Sequence, residues 1–232
     1  MKKEGVLINN DLELAESIIL EAFMTEPFHT LAFLYEVSPQ EENFGGTCSD
    51  KVLSVMKKLK REGFKVYIHS SFIGNIECHR LLRLIIGEQE YFADVGNGWP
   101  SIKLFPASKN MEYSCYGIYF ESIVYNEYVE IYQTRVGIKK HTLTIPLKSK
   151  PETEIMKDIS NRFNNLYPFT GKLRFAQIIN DRFLFLRDSE LHIYSESGKQ
   201  TKIVNYIDNL NQILNVEFGF NLNDFICLKE DK

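Results

Sequence analysis

Phe44-Gly45-Gly46-Thr47-Cys48-Ser49-Asp50 is the stretch on which the reading of this chain turns. Two glycines allow close approach of backbone or of a bound molecule, and Thr47 with Asp50 three residues on has the form of a capping box. Val52, Met56 and Leu59 then recur on one face, with Lys51, Lys57, Lys58, Lys60 and Arg61 mostly outside it, until Gly63 closes the run. The spacing predicts a helix whose first turn carries Cys48. There the helix dipole and unpaired N–H groups favour thiolate over thiol. A cysteine alone is more often a small buried hydrophobe, and a glycine turn has structural uses too, so a nucleophilic Cys48 needs partners elsewhere in the chain.

A thiolate nucleophile needs a base within reach and a third group to hold that base. Beyond Gly63 the period changes to two: Phe64, Val66 and Ile68 alternate with Lys65, Tyr67 and His69, which predicts a strand. Leu81 to Ile86 and Tyr91 to Val95 bracket Gly87-Glu88-Gln89, which predicts a hairpin. With its turn on Gly87-Glu88, Asp94 falls diagonal to His79 on the same face. Asp94 ends an apolar strand, where a carboxylate without a partner is costly to bury, so His79 is its expected partner. Cys48, His79 and Asp94 are the candidate catalytic residues. Cys78 adjoins His79, but strand neighbours point to opposite faces, so it reads as core.

Leu14, Ile18 and Ala22 recur with the helical period, giving an amphipathic helix from Asp11 toward Leu34, ended or restarted at Pro27. Ser38 to Asn43 reads as a loop. Met111 to Leu147 alternates in Tyr, Ile, Val and Phe, which predicts several antiparallel strands in a barrel or sheet. Pro151 leads into a helix ending near Pro168; a hairpin around Asp188-Ser189 and a last helix from Lys202 to Val216 complete the chain. The expected fold class is α+β. Residues 1–63 form a helical segment with the cysteine, 64–150 a β-barrel with His79 and Asp94, and 151–232 an α/β lid.

The chain has 232 residues, 44% of them hydrophobic, which is enough for one large core or two small ones. Its formal charge of −4 argues against nucleic acid or anionic membrane as a bulk partner, since both call for a basic surface. No leader and no apolar run near the roughly 20 residues of a membrane span is visible, so a cytoplasmic protein is expected. The four cysteines, Cys48, Cys78, Cys115 and Cys227, contain no Cys-x-x-Cys pair, and no metal is expected. Cys115 and Cys227 read as packing residues, and His29, His69, His141 and His192 as structural or surface histidines. The cluster Lys57, Lys58, Lys60 and Arg61 is a solvated face or a phosphate contact, and Lys148 with Lys150 offers another. Asn97 and Trp99 line an acceptor pocket or form a turn packed by an exposed aromatic.

With these residues placed, the chain resembles the arylamine N-acetyltransferase family. The resemblance rests on Gly45-Gly46-Thr47-Cys48, His79-Arg80-Leu81-Leu82 and Asp94-Val95-Gly96-Asn97-Gly98, with Pro100 and Leu104-Phe105-Pro106 beyond. Pro27-Phe28 and Phe218-Gly219-Phe220 extend it over most of the chain. It implies a helical first part, a β-barrel middle and an α/β lid around a cysteine-protease-like core, with Asn97, Gly98 and Trp99 as substrate-binding residues. Two positions depart from the pattern: Phe44 stands where an arginine usually supports the cysteine loop, and Asn97 where an aromatic is common.

The resemblance implies transfer of an acetyl or other acyl group from an acyl-CoA donor, with acetyl-CoA as co-substrate, through a Cys48 thioester to a small-molecule amine. Two other readings use the same residues. One is an amide synthase acting on a biosynthetic acyl thioester; the other is a transglutaminase- or peptidase-like enzyme, since the same order of thiol, imidazole and carboxylate serves peptide bonds. A binding module with an unreactive Cys48 is a fourth.

Overall fold

The computed structural model describes residues 2–37, 44–164 and 171–227. Four helices and one short strand come first or flank the barrel: α1 (Lys2–Thr25), β1 (Phe28–His29), α2 (Leu31–Tyr35), α3 (Cys48–Arg61) and, after the barrel, α4 (Glu152–Ser160). Helix α1 begins well before Asp11 because nothing in the preceding residues breaks it; Asn9, Asn10 and Asp11 sit on its exposed side. It ends at Thr25, ahead of Pro27, and α2 is a separate short helix. The expected loop at 38–43 and the expected helix end near Pro168 lie outside the described residues.

Eight strands follow α3: β2 (Lys65–Ile73), β3 (Ile76–Ile86), β4 (Gln89–Ala93), β5 (Phe105–Pro106), β6 (Met111–Cys115), β7 (Ile118–Val124), β8 (Tyr128–Arg135) and β9 (Ile138–Pro146). They form one antiparallel sheet in the order β5-β4-β3-β2-β9-β8-β7-β6, curled into a nearly closed barrel. The β3–β4 hairpin turns on Gly87-Glu88 and pairs Leu82 with Ala93, the register read from the sequence.

A second antiparallel sheet, ordered β1-β10-β11-β12-β13, combines β1 with β10 (Arg174–Ile179), β11 (Arg182–Arg187), β12 (Glu190–Ser195) and β13 (Gly198–Ile203). Helices α5 (Tyr206–Phe218) and α6 (Leu222–Cys227) cover it. Strand β11 reads as an unbroken apolar run because both its faces are buried. Phe183 and Phe185 join the barrel core, whereas Leu184 and Leu186 pack with Leu214, Phe218 and Phe225. Residues Lys202 and Ile203, expected to start the last helix, instead finish β13, where Ile203 pairs with Glu190.

The barrel core continues into α1 and α3 through Ile19, Phe23, Val52, Val55 and Leu59. Lys51 also lies on this buried face, fully covered, rather than outside it. Its ammonium donates to the carbonyls of Ala22 and Glu26, closing the C-terminal end of α1. Among the described residues no helix is long and apolar enough to cross a membrane.

Candidate active site

Cys48 opens α3 as the helix cap predicts. Asp50 Oδ2 accepts from the Thr47 N–H at 2.9 Å and from the Thr47 hydroxyl at 2.8 Å, holding the turn that carries the cysteine. The two glycines before it serve the chain itself. Gly45 has φ +64°, and a Cβ there would stand 1.9 Å from the Pro27 carbonyl oxygen. Gly46 N–H donates to that carbonyl at 3.0 Å and its own carbonyl accepts from His29 N–H at 2.9 Å, so the loop docks on Pro27 to His29.

His79 lies at the barrel end of β3 and Asp94 just after β4, both buried. His79 Nε2 donates to Asp94 Oδ1 at 2.7 Å, and the Cys48 sulfur lies near enough to the His79 ring for the two to perturb each other's titration. The three candidate residues therefore form one chain of contacts inside the protein. Burial alone lowers the His79 pKa, but the charge and hydrogen bond of Asp94, joined by the sulfur, raise it above the ordinary imidazole value. Burial pushes the Cys48 thiol up, and the hydrogen bond and charge of His79, the Arg80 backbone N–H and the Arg80 charge bring it below the usual thiol value. Both shifts act in favour of a thiolate beside an imidazolium.

Asn97 Nδ2 donates to Asp94 Oδ2, and Asn97 Oδ1 accepts from the Trp99 N–H at 2.8 Å. The Asn97 amide is thus committed to the carboxylate rather than turned toward an open pocket. Gly96 passes so close behind the nucleophile that a Cβ would stand 2.4 Å from Cys48 Cα. Gly98, at φ +80°, lies against the Phe28 ring, 2.8 Å from the place of a Cβ. Trp99 packs its ring 4.9 Å from Phe185 and 5.7 Å from Tyr194. Of the three expected substrate-binding residues, none borders the opening above Cys48.

That opening is edged by Phe33, Cys78, Arg80, Asp158, Ile159 and Arg162. Cys78, expected in the core, is half-buried there, its thiol raised by burial and by the neighbouring Cys48. Arg80 is buried, and its guanidinium donates to the His79 carbonyl at 3.1 Å and to Asp158 at 3.2 Å. Arg162 donates to Asp50 Oδ1 at 2.8 Å. It brings a cation to the cysteine loop from a distant part of the chain, while Phe44 packs its ring on Phe220 and Phe225 and accepts from His29 Nε2 at 2.6 Å. The sequence flagged neither Arg162 nor Asp158, which meet Cys48 only through the fold; Arg80 could have been noticed as the neighbour of His79.

The other expectations resolve individually. Lys58 pairs with Glu26 and Lys150 with Glu77, both at 2.7 Å, so neither stands ready for a phosphate. His29 and His69 are wholly buried. Cys115 is buried, but Cys227 is exposed rather than packed. Among the described residues no three His, Cys, Asp or Glu side chains are grouped to hold a metal ion.

No family model matches the chain, and no curated protein matches it in sequence. The likeness is in three dimensions. The arylamine N-acetyltransferase of Mycobacterium marinum superposes with a TM-score of 0.80 at 14% identity, over 92% of this chain and 88% of that one. The same enzyme in complex with CoA gives 0.79 at 14% identity, over 92% and 88%. The arylamine N-acetyltransferase of Salmonella typhimurium gives 0.73 at 15% identity, over 90% and 84%. The chain has the fold of these enzymes.

Proposed function

We propose that this protein is an acyltransferase of the arylamine N-acetyltransferase type, carrying an acyl group from acyl-CoA to an amine through Cys48. The observation that supports it is the buried run of contacts from Cys48 through His79 to Asp94, in the fold of enzymes that transfer acetyl groups to arylamines. A similar enzyme binds CoA.

In the first half-reaction the Cys48 thiolate attacks the thioester carbonyl, and the backbone N–H groups in the first turn of α3 stabilise the oxyanion. The carbon–sulfur bond to coenzyme A breaks, and its sulfur takes the proton from the His79 imidazolium. This leaves an acyl-cysteine and a neutral His79. In the second, an amine attacks the acyl-cysteine while His79 accepts its proton, and the Cys48 thiolate departs. Asp94 holds the imidazole in the required orientation throughout. Residues 1–63 thus supply the nucleophile, 64–150 the base and its carboxylate, and 151–232 the cover; a reducing cytoplasm would keep the Cys48 thiol free of disulfides.

Intact mass after incubation with acetyl-CoA tests this. An acetyl increment is expected in the native chain and absent in Cys48→Ala, and addition of an arylamine should discharge it. No increment with any acyl-CoA would overturn the proposal.

A further inference from the structure

Trp99 points to a second cavity, separate from the opening above Cys48. It has a volume of about 330 Å3 and lies between the tip of the β8–β9 hairpin and strands β11, β12 and β13. That is within the range of roughly 300–1,000 Å3 typical of small-molecule sites. Trp99, Phe185 and Tyr194 give it an aromatic wall. The Arg135 guanidinium lies 3.8 Å from the centre of the Trp99 ring, the geometry of a cation–π stack.

The charge around this wall is one-sided. Arg135, Arg187, Lys140 and Lys199 line the cavity, and no carboxylate does, although the chain as a whole carries a net charge of −4. Among the described residues none of the four has an ion-pair partner; His192, also in the lining, pairs with Glu190 at 3.2 Å. Arg135 is half-buried, and burial followed by the nearby Arg187 opposes its charge, with Tyr194 favouring it. Cations gathered without counter-charge around a partly buried aromatic face are completed by an anion with a flat ring.

We propose that this cavity binds a purine nucleotide phosphate, with the base stacked on the Arg135 guanidinium that covers Trp99 and the phosphate oxygens on Arg187 and Lys199. The nucleotide has two possible sources. It is the nucleotide end of the acyl-CoA donor, a case that rests on the acyltransferase reading, or it is a free nucleotide acting from outside the reaction.

Trp99 is the protein's one tryptophan, so its fluorescence reports on the cavity directly. Titration of the full chain with adenosine 3′,5′-bisphosphate should change Trp99 emission saturably, with weaker responses to adenosine and to inorganic phosphate alone. Arg187 and Lys199 are exposed, so the charge-reversed variant R187E/K199E should fold and bind at least tenfold more weakly; Arg135→Ala provides a second variant. The absence of a saturable change, or unchanged affinity in R187E/K199E, would overturn the site. Acylation of Cys48 separates the sources. If the donor's nucleotide end occupies the cavity, R187E/K199E needs at least tenfold more acetyl-CoA but reacts normally with an acetyl-pantetheine lacking the nucleotide. If a free nucleotide is bound, acylation by acetyl-CoA is unchanged while bisphosphate binding is lost. Failure of every acyl-CoA to load Cys48 would count against the acyltransferase reading and leave the fluorescence result standing.

Discussion

Asn97 occupies a position that the sequence reading gave to substrate, yet its amide spans Asp94 and the Trp99 backbone. Side-chain direction within a tight turn depends on backbone angles that residue types do not disclose. The meeting of His79 with Asp94 was legible because one hairpin register brings the two together. Asn97→Ala should remove one of the two hydrogen bonds on a wholly buried carboxylate and lower the acylation rate about tenfold, equivalent to ~1.4 kcal/mol, with the acetyl-CoA requirement little changed. The electrostatics of Cys48 give a second expectation. Because its thiol lies below the ordinary value, alkylation by iodoacetamide should persist to lower pH than that of an ordinary thiol near pKa 8.5. Asp94→Asn should move this profile to higher pH. A native profile that coincides with that of an ordinary thiol would contradict the ion pair.

At the scale of elements, α1 and α3 are joined by a lysine that binary patterning assigns to solvent. Lys51 escaped detection because its cationic end reaches carbonyls at the end of another helix, a contact with no signal in α3 itself. Lys51→Met should remove the side-chain donor from the Glu26 carbonyl and leave the Ala22 carbonyl with the Glu26 N–H alone, and cost about 2 kcal/mol, read as a lower urea midpoint with an unchanged slope. Gly96→Ala sets a Cβ against the Cys48 backbone, so acylation should be lost even where thermal unfolding shows a folded protein. The β3–β4 hairpin was readable from alternation and a glycine turn. Strand β13 was not, since all its residues are exposed and only pairing with β12 makes it a strand.

Across the whole molecule, two buried histidines work against stability at acid pH. His29 stacks on Phe175 in the five-stranded sheet, while His69 donates to the Pro146 carbonyl in the barrel. Burial lowers both pKa values from 6.5 to about 4. Between these values the unfolded chain binds protons that the folded chain does not, so stability falls as pH drops from about 6.5 toward 4 and is unaffected by these groups above that window. The loss is on the order of 3 kcal/mol for each. Denaturant midpoints measured from pH 7 to 4 should show it, and His29→Gln should flatten part of the slope.

The pairing of β1 with β10 joins Phe28 to Ala176, and Phe28 also bridges Gly46 in the loop before Cys48. During synthesis on a ribosome, the segment bearing the nucleophile emerges early, but the strand that secures its neighbour arrives only with Arg174–Ile179. The newborn chain would therefore carry a cysteine without its finished setting until that strand has left the exit tunnel. Reactivity would lag well behind the appearance of the thiol itself.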